Sequence, residues 1–288
     1  MKTDRRSFLH ALAALPLVAA LPLVAALPAK AADALETVRQ RGSLRIAVYN
    51  DFPPYSLKGG KGIDADIGRA IARRLGLTAE IVGFNADEDM NDDLRNMVWK
   101  GHYLGTQPAD VMLHVPVDEV LARANDKVRI FGAYHRETIA LARNPERVPA
   151  LSGSAAVALE IFTREKIGVE TASLADSFLL GVLNGRLREN VVHFTTVAEA
   201  TAALADGRVS AVLAPRAELE AALRGRDSLV LDSAKFAELK VDSWPLGMAC
   251  KAEEQALAEA VASAVAELKR DGSIAAIFRQ HGITYQAA

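Results

Sequence analysis

The chain predicts an α/β fold built on a mostly parallel sheet with helices on its faces. Short β-branched runs alternate with amphipathic helical stretches along the chain. Each apolar run is too short for a buried helix and is followed by a helix-period pattern, the order that parallel sheets require. The chain carries a single cysteine, Cys250, which excludes an intrachain disulfide, a CxxC redox pair and a thiolate zinc site.

Met1–Ala31 precedes this pattern and reads as an export signal. Thr3-Asp4-Arg5-Arg6-Ser7-Phe8-Leu9 carries twin arginines, Ala11–Leu27 is apolar, and Ala29-Lys30-Ala31 places small residues at a cleavage site. The apolar run is broken by Pro16 and Pro22 and falls short of the roughly 20 residues of a membrane-spanning helix. A periplasmic location after removal of residues 1–31 is therefore expected. Cleavage takes the net charge from −2 to about −5, and the basic residues of the remainder are scattered, which argues against a nucleic-acid partner.

The elements follow in order. Ser43–Tyr49 alternates as a strand, Ile63–Leu75 is apolar at helical spacing and stops at Gly76, and Ala79–Phe84 is the next strand. Asp92–Trp99 predicts a short helix, Ala109–His114 a buried strand, and Val128–Tyr134 with Thr138–Ala142 a long extended passage. A second cycle runs through the strand Ile167–Val169, the helix Leu174–Leu183, the strand Val191–Phe194, the helix Val197–Ala205 and the strand Ala211–Leu213. Short strands at Leu229–Leu231 and Leu246–Cys250, then helices over Glu253–Arg270 and Ser273–His281, close the chain.

This order, with particular motifs in it, resembles the family 3 solute-binding proteins, receptors of amino-acid ABC transporters. The motifs are Leu44-Arg45-Ile46-Ala47-Val48 before Asp51-Phe52-Pro53-Pro54-Tyr55, Gly62-Ile63-Asp64-Ala65-Asp66-Ile67, Ala109-Asp110-Val111-Met112, Lys166-Ile167-Gly168-Val169, Ala205-Asp206-Gly207-Arg208, and Leu268-Lys269-Arg270-Asp271-Gly272. The resemblance implies a type II periplasmic-binding-protein fold: two lobes, two crossovers, and a small-molecule ligand trapped between the lobes. Residues 33–134 and 243–288 would form lobe one, and residues 135–242 lobe two. Strands ending at a crevice favour a ligand there on general grounds.

The departures from the family fall on its ligand-reading positions. After Asp110 the hydroxylated residues are replaced by Val-Met-Leu-His-Val-Pro, and the expected carboxylate-binding arginine arrives one place late, as Arg123. Where the family places an acid for the ligand ammonium, this chain has Pro215 followed by Arg216. These changes disfavour an α-amino acid and point to an acidic solute. The segments 99–105, 109–118 and 131–137 are similar to a branch found beside pyrroloquinoline-quinone (PQQ) alcohol dehydrogenases, related to the periplasmic protein encoded with methanol dehydrogenases. That likeness implies service to a quinoprotein dehydrogenase and its cytochrome c, with PQQ itself as one candidate ligand but not as a catalytic cofactor. The alternatives are an accessory protein that contacts the dehydrogenase without transport, and an amino-acid receptor working with an inner-membrane ABC permease.

The candidate ligand-binding residues are Phe52, Tyr55, Trp99, His114, Arg123, Tyr134, Arg136, Ser173, Arg216 and Trp244. Phe52 and Tyr55 follow the first strand, where the family stacks an aromatic ring on its ligand. His114 ends an apolar strand at the crevice. Arg123, Arg136 and Arg216 offer planar forks for carboxylates. Ala172-Ser173 stands at a helix start where amides attract an anion. Trp99 is a candidate cap over the cleft, and Trp244 a candidate hinge or wall. The acidic run Asp87–Asp93 lacks the spacing, the glycine and the final glutamate of a calcium loop and reads as helix capping, so no metal is expected. No nucleophile elbow, phosphate loop, HExxH or dinucleotide fingerprint occurs, so an enzyme is not expected. Some relatives of the fold act as dehydratases, and Glu170 is the nearest cleft carboxylate for such a role.

Overall fold

The computed structural model describes residues 34–103 and 105–288, and the expected export signal lies outside them. Along the chain run α1 (Ala34–Arg41), β1 (Ser43–Tyr49), β2 (Asp51–Phe52), β3 (Ser56–Leu57), α2 (Ile63–Arg74), β4 (Thr78–Phe84), α3 (Met90–Leu94), β5 (Val111–Pro116) and α4 (Glu119–Ala124). Then follow β6 (Val128–Arg143), α5 (Ala155–Ala158), β7 (Ile167–Glu170), α6 (Leu174–Gly181), β8 (Val191–Phe194), α7 (Val197–Ala205), β9 (Ala211–Pro215), α8 (Arg216–Ala222), β10 (Val230–Ser233), β11 (Ser243–Lys251), α9 (Gln255–Arg270) and α10 (Ser273–Gln280). The main sheet runs β4-β1-β5-β11-β6-β9-β7-β8, with β10 also paired to β6.

This is the two-lobed, type II periplasmic-binding-protein fold with two crossovers. Strand β6 is the first crossover: Val128–Thr138 pairs with β11, while Ile139–Arg143 pairs with β9. The second enters β11, where the Ile139 amide donates to the Asp242 carbonyl at 2.8 Å. Tyr134 belongs to the core of the first lobe and Ile139 to that of the second, only five residues on. His135 and Glu137, between the two predicted stretches, are polar but buried, and the extended backbone continues through them.

Each sheet half is covered on both faces. In the first lobe α2 lays Ile63, Ile67, Ala70 and Ile71 on one face, and α9 adds Leu257, Val261, Val265 and Leu268 at the same helical spacing. The opposite face packs against Leu94, Met97 and Val98, the last two in a π-helical turn over Arg95–Trp99. In the second lobe α6 and α7 take the two faces through Ala175 and Leu179 and through Ala200 and Leu204. Trp244, on β11, packs against the main core of each lobe. Cys250 lies near the far end of the same strand, fully buried, its thiol pushed up to about 12 by burial and then by the neighbouring Glu254.

Local chemistry sets the joints. Gly62 precedes α2 with φ +108°, and a Cβ there would stand 2.4 Å from the Tyr55 carbonyl, so only glycine brings the Asp51–Leu57 hairpin onto the helix. Asp89 caps α3 by accepting from the Asn91 and Asp92 amides, and Asp118 caps α4 by accepting from Leu121. In the Ala109-Asp110 motif, the Asp110 carboxylate accepts the Arg45 amide at 2.7 Å and pairs with Arg41, locking β1 beside β5. Among the described residues no helix is long and apolar enough to cross a membrane.

Candidate functional site

Two cavities of about 370 and 300 Å³ share Asp51 and Phe52 as a common wall. The larger lies between Phe52 and second-lobe residues, among them Glu170, Thr196 and Glu218. The smaller is enclosed by Tyr49, Asn85, Met90 and His114 of the first lobe. Together they form the cleft at the carboxyl ends of β1, β5 and β7, where parallel strands deliver side chains to a ligand.

His114 reaches this cleft through a strand irregularity. Opposite β11, Leu113 pairs with Met248 and Val115 with Gly247, so His114 is the extra residue of a bulge and adopts φ +64°. Such a backbone is strained for a residue with a side chain, and it turns the imidazole out of the strand alternation. The ring meets Phe52 edge-on at 4.7 Å between centroids and Tyr55 at 4.2 Å. Its Nδ1 lies 3.1 Å from Asp64 Oδ2, while the Tyr134 hydroxyl donates to Asp64 Oδ1 at 2.8 Å. Asp64 is fully buried in the first turn of α2, so these contacts fix the cleft floor from beneath.

A second buried acid, Glu137, accepts from the Tyr55 hydroxyl and from the Thr138 amide. Burial pushes the Glu137 carboxyl above the usual carboxylate range, with these hydrogen bonds opposing the shift. Glu218, on α8, is pushed well above that range by burial and then by Glu170 and Glu137, and burial also raises Glu170. The second-lobe wall thus gathers carboxyls that resist being charged together, a condition a bound cation would relieve. Burial likewise drives His135 down to about 3, holding it neutral against the Phe278 ring at 4.3 Å.

The candidate residues separate. Phe52 and His114 line the cleft, and Tyr55 and Tyr134 are buried directly under it. Arg136 and Arg216 instead line a separate cavity of about 420 Å³ at the hinge that also includes Thr138, Lys235 and Asp242. Trp244 stands at the hinge between the cores. Ser173 caps its own helix by accepting from the Asp176 amide, and Asp176 in turn takes the Ala172 amide at 2.9 Å, so this helix start is closed by its own side chains. Arg123 is on the surface, paired with Glu119 four residues earlier. Trp99, 37 % exposed at the end of the π-helical turn, lines neither cleft cavity.

The cleft lining therefore carries Asp51, Glu170 and Glu218 and neither lysine nor arginine among the described residues. That surface is complementary to a cation, not to the acid expected from Arg136 and Arg216. Sequence reasoning missed Glu218 because α8 was not foreseen; it stands on that helix three residues after Pro215. Among the described residues no group of three or more His, Cys, Asp or Glu is arranged to hold a metal ion.

No protein-family model and no curated protein matches the chain. Solved structures do match in fold. An ancestral cationic amino-acid solute-binding protein superposes with a TM-score of 0.66 at 18 % identity, covering 85 % of this chain and 98 % of its own. An amino-acid ABC transporter substrate-binding protein from Streptococcus pneumoniae, bound to L-arginine, gives 0.60 at 19 % identity, with 88 % and 99 % covered. An ancestral amino-acid-binding protein described as a precursor of cyclohexadienyl dehydratase gives 0.58 at 18 % identity, with 86 % and 99 % covered.

Proposed function

We propose that the chain is a solute-binding protein that holds a small organic cation, an amine or guanidinium beside an apolar stem, in the cleft around Phe52. The observation that carries this reading is the convergence of Asp51, Glu170 and Glu218 on Phe52, with no basic side chain among the described residues lining the cavities. Carboxylates supply charge-assisted acceptors, and the ring supplies a face for the stem or for a cation. The neighbours described as binding cationic amino acids or L-arginine support the same chemistry. Delivery to an ABC permease from the periplasm follows for a receptor of this fold, with the export signal at Met1–Ala31. A tricarboxylate such as PQQ would set its charges against the cleft's own acids, so the quinoprotein association is retained only as a protein-contact role.

Calorimetric titration of L-arginine, L-lysine and an aliphatic diamine tests the reading, with succinate as the acidic control. Binding of a cation that is lost in Phe52→Ala supports it. Succinate binding that is lost in Phe52→Ala but kept in Arg136→Gln would sink it. No response to any cation, with a quinoprotein dehydrogenase or cytochrome c captured from periplasmic extract, would replace it with the accessory role.

The Glu218 carboxyl supports a second reading. Burial raises the Glu218 carboxyl well above the usual range, and a carboxyl at a cavity wall that holds its proton more tightly has the chemistry of a general acid toward a leaving hydroxyl. Aromatising loss of water from a cyclohexadienyl alcohol, in which the C–O bond breaks with a proton from Glu218 and a ring C–H bond gives its proton to solvent, present with the natural protein and absent with Glu218→Gln, would make the protein a dehydratase. Absence of turnover leaves it a binding protein.

A further inference from the structure

The hinge cavity has no lining residue in common with the two cleft cavities. Three cations, Arg136, Arg216 and Lys235, face one acid, Asp242. Among the described residues the Arg136 guanidinium has no hydrogen-bond or ion-pair partner, although the residue is partly buried. Arg216 is better anchored: it donates to Ser233 Oγ at 2.9 Å and lies 3.4 Å from Glu220. Because the Ser233 oxygen accepts from Arg216, its own hydrogen is left to point elsewhere, and Ser233 lines the cavity. A planar guanidinium half withdrawn from water and left unmatched is the group that most rewards a bidentate anion.

We propose that this cavity is a second binding site, for a small dianion of the dicarboxylate or phosphate class. The lining's three cations outnumber Asp242, and an excess of one positive charge remains once Glu220, paired with Arg216, is counted, so the ligand's sign is negative. Its volume of about 420 Å³ admits a compact solute and leaves room for bridging water. The walls come from both lobes. Arg136 belongs to the crossover β6, Arg216 and Ser233 to the second lobe, and Gln286 to the C-terminal segment, whose carbonyl accepts the Arg136 amide at 3.0 Å. A dianion bridging Arg136 and Arg216 therefore ties the C-terminal segment to the second lobe across the hinge. The site is independent of what the cleft holds.

Thermal melting and calorimetric titration of the protein with sodium succinate, and separately with inorganic phosphate, each against sodium chloride at matched ionic strength, test the proposal. The expected result is a rise in melting temperature with one of the two anions, growing logarithmically with its concentration. Affinity should fall at least tenfold in Arg136→Gln and in Arg216→Gln, partly recover in Arg136→Lys, and persist in Phe52→Ala. A response to succinate alone assigns a carboxylate ligand, and a response to phosphate alone assigns a phosphate. Ser233→Ala, which removes one hydroxyl, serves where an arginine variant does not fold, with a weaker loss expected. No binding beyond the sodium chloride control, equal binding in the arginine variants, or loss of binding in Phe52→Ala would each overturn the proposal.

Discussion

Arg136 and Glu137 are adjacent on β6, and Arg216 and Glu218 lie two apart on α8, yet each arginine lines the hinge cavity while its acidic neighbour is turned away from it, Glu218 to the cleft wall and Glu137 to the buried Tyr55 hydroxyl. On the strand the alternation of side chains sends Arg136 to the hinge cavity and Glu137 under Tyr55. On the helix a two-residue step turns about 200°, which places Arg216 and Glu218 on opposed sides. The comparison teaches that the charge a cleft presents is decided by the phase of its secondary structure. Two arginines near a ligand-binding region in sequence say nothing about the ligand until that phase is known.

The sharpest break in the comparison is Phe52→Ala. Phe52 walls both cleft cavities and neither its ring nor its backbone lines the hinge cavity, so removing the ring should cost about 2 kcal/mol of cleft binding, roughly a 30-fold loss of L-arginine affinity by calorimetry. Succinate or phosphate binding at the hinge should not move.

Glu218→Gln comes next, with about a tenfold loss of cation affinity and a change in pH dependence. The carboxyls of Glu137, Glu170 and Glu218 are all raised in the folded chain. Their contribution to stability is therefore full below the ordinary glutamate range and is lost as pH rises through the folded-state values. Urea unfolding of the ligand-free protein should show that decline as pH rises above the ordinary glutamate range, and Glu218→Gln should flatten it. Cation binding should run the other way, strengthening as pH rises, because the cation pairs with the ionised acid. A protein whose cation affinity is indifferent to pH would remove Glu218 from the site.

A smaller effect is expected beneath the cleft floor. Tyr134→Phe takes the hydroxyl donor from Asp64 and leaves that buried carboxylate with His114. The expected cost is about 1–3 kcal/mol in urea unfolding. The smallest change is expected at Arg123→Ala, whose ion pair with Glu119 is 77 % and 85 % exposed on its two sides. Stability should stay within about 0.5 kcal/mol, and both cavities should bind as before.

Much of the fold was legible in the sequence because apolar period and local stop signals agreed. Ser43–Tyr49, Val191–Phe194 and Val197–Ala205 have the boundaries expected of them, and Gly76 follows α2 at φ +71°. Several elements escaped, among them the one-turn helix α5. The hairpin Asp51–Leu57 is too short to show alternation, α1 lies beside the export signal, and α8 begins directly on Pro215 at the end of a strand. The long extended passage expected from Val128 to Ala142 is the single strand Val128–Arg143, and tertiary pairing shows that it continues through the polar His-Arg-Glu at 135–137. At the site, His114, expected at a strand's end, sits within β5, whereas the place of Phe52 after β1 was readable. The facing of Arg136 and Arg216 was not, since it depends on which side of each element the second lobe closes, and the bulge that turns His114 depends on register with β11.

Cys250 makes strand β11 a built-in clock. It is the single thiol of the chain, fully buried and pushed up to about 12, on the strand that pairs with both β5 and β6. A thiol reagent can modify it only during excursions that detach that strand, because a buried, protonated thiol is inert. The labelling rate therefore counts how often the first lobe comes apart at its centre. The folded molecule needs no engineered probe for that motion, and a saturating ligand in either cavity should slow the clock by the factor with which it stabilises the closed strand.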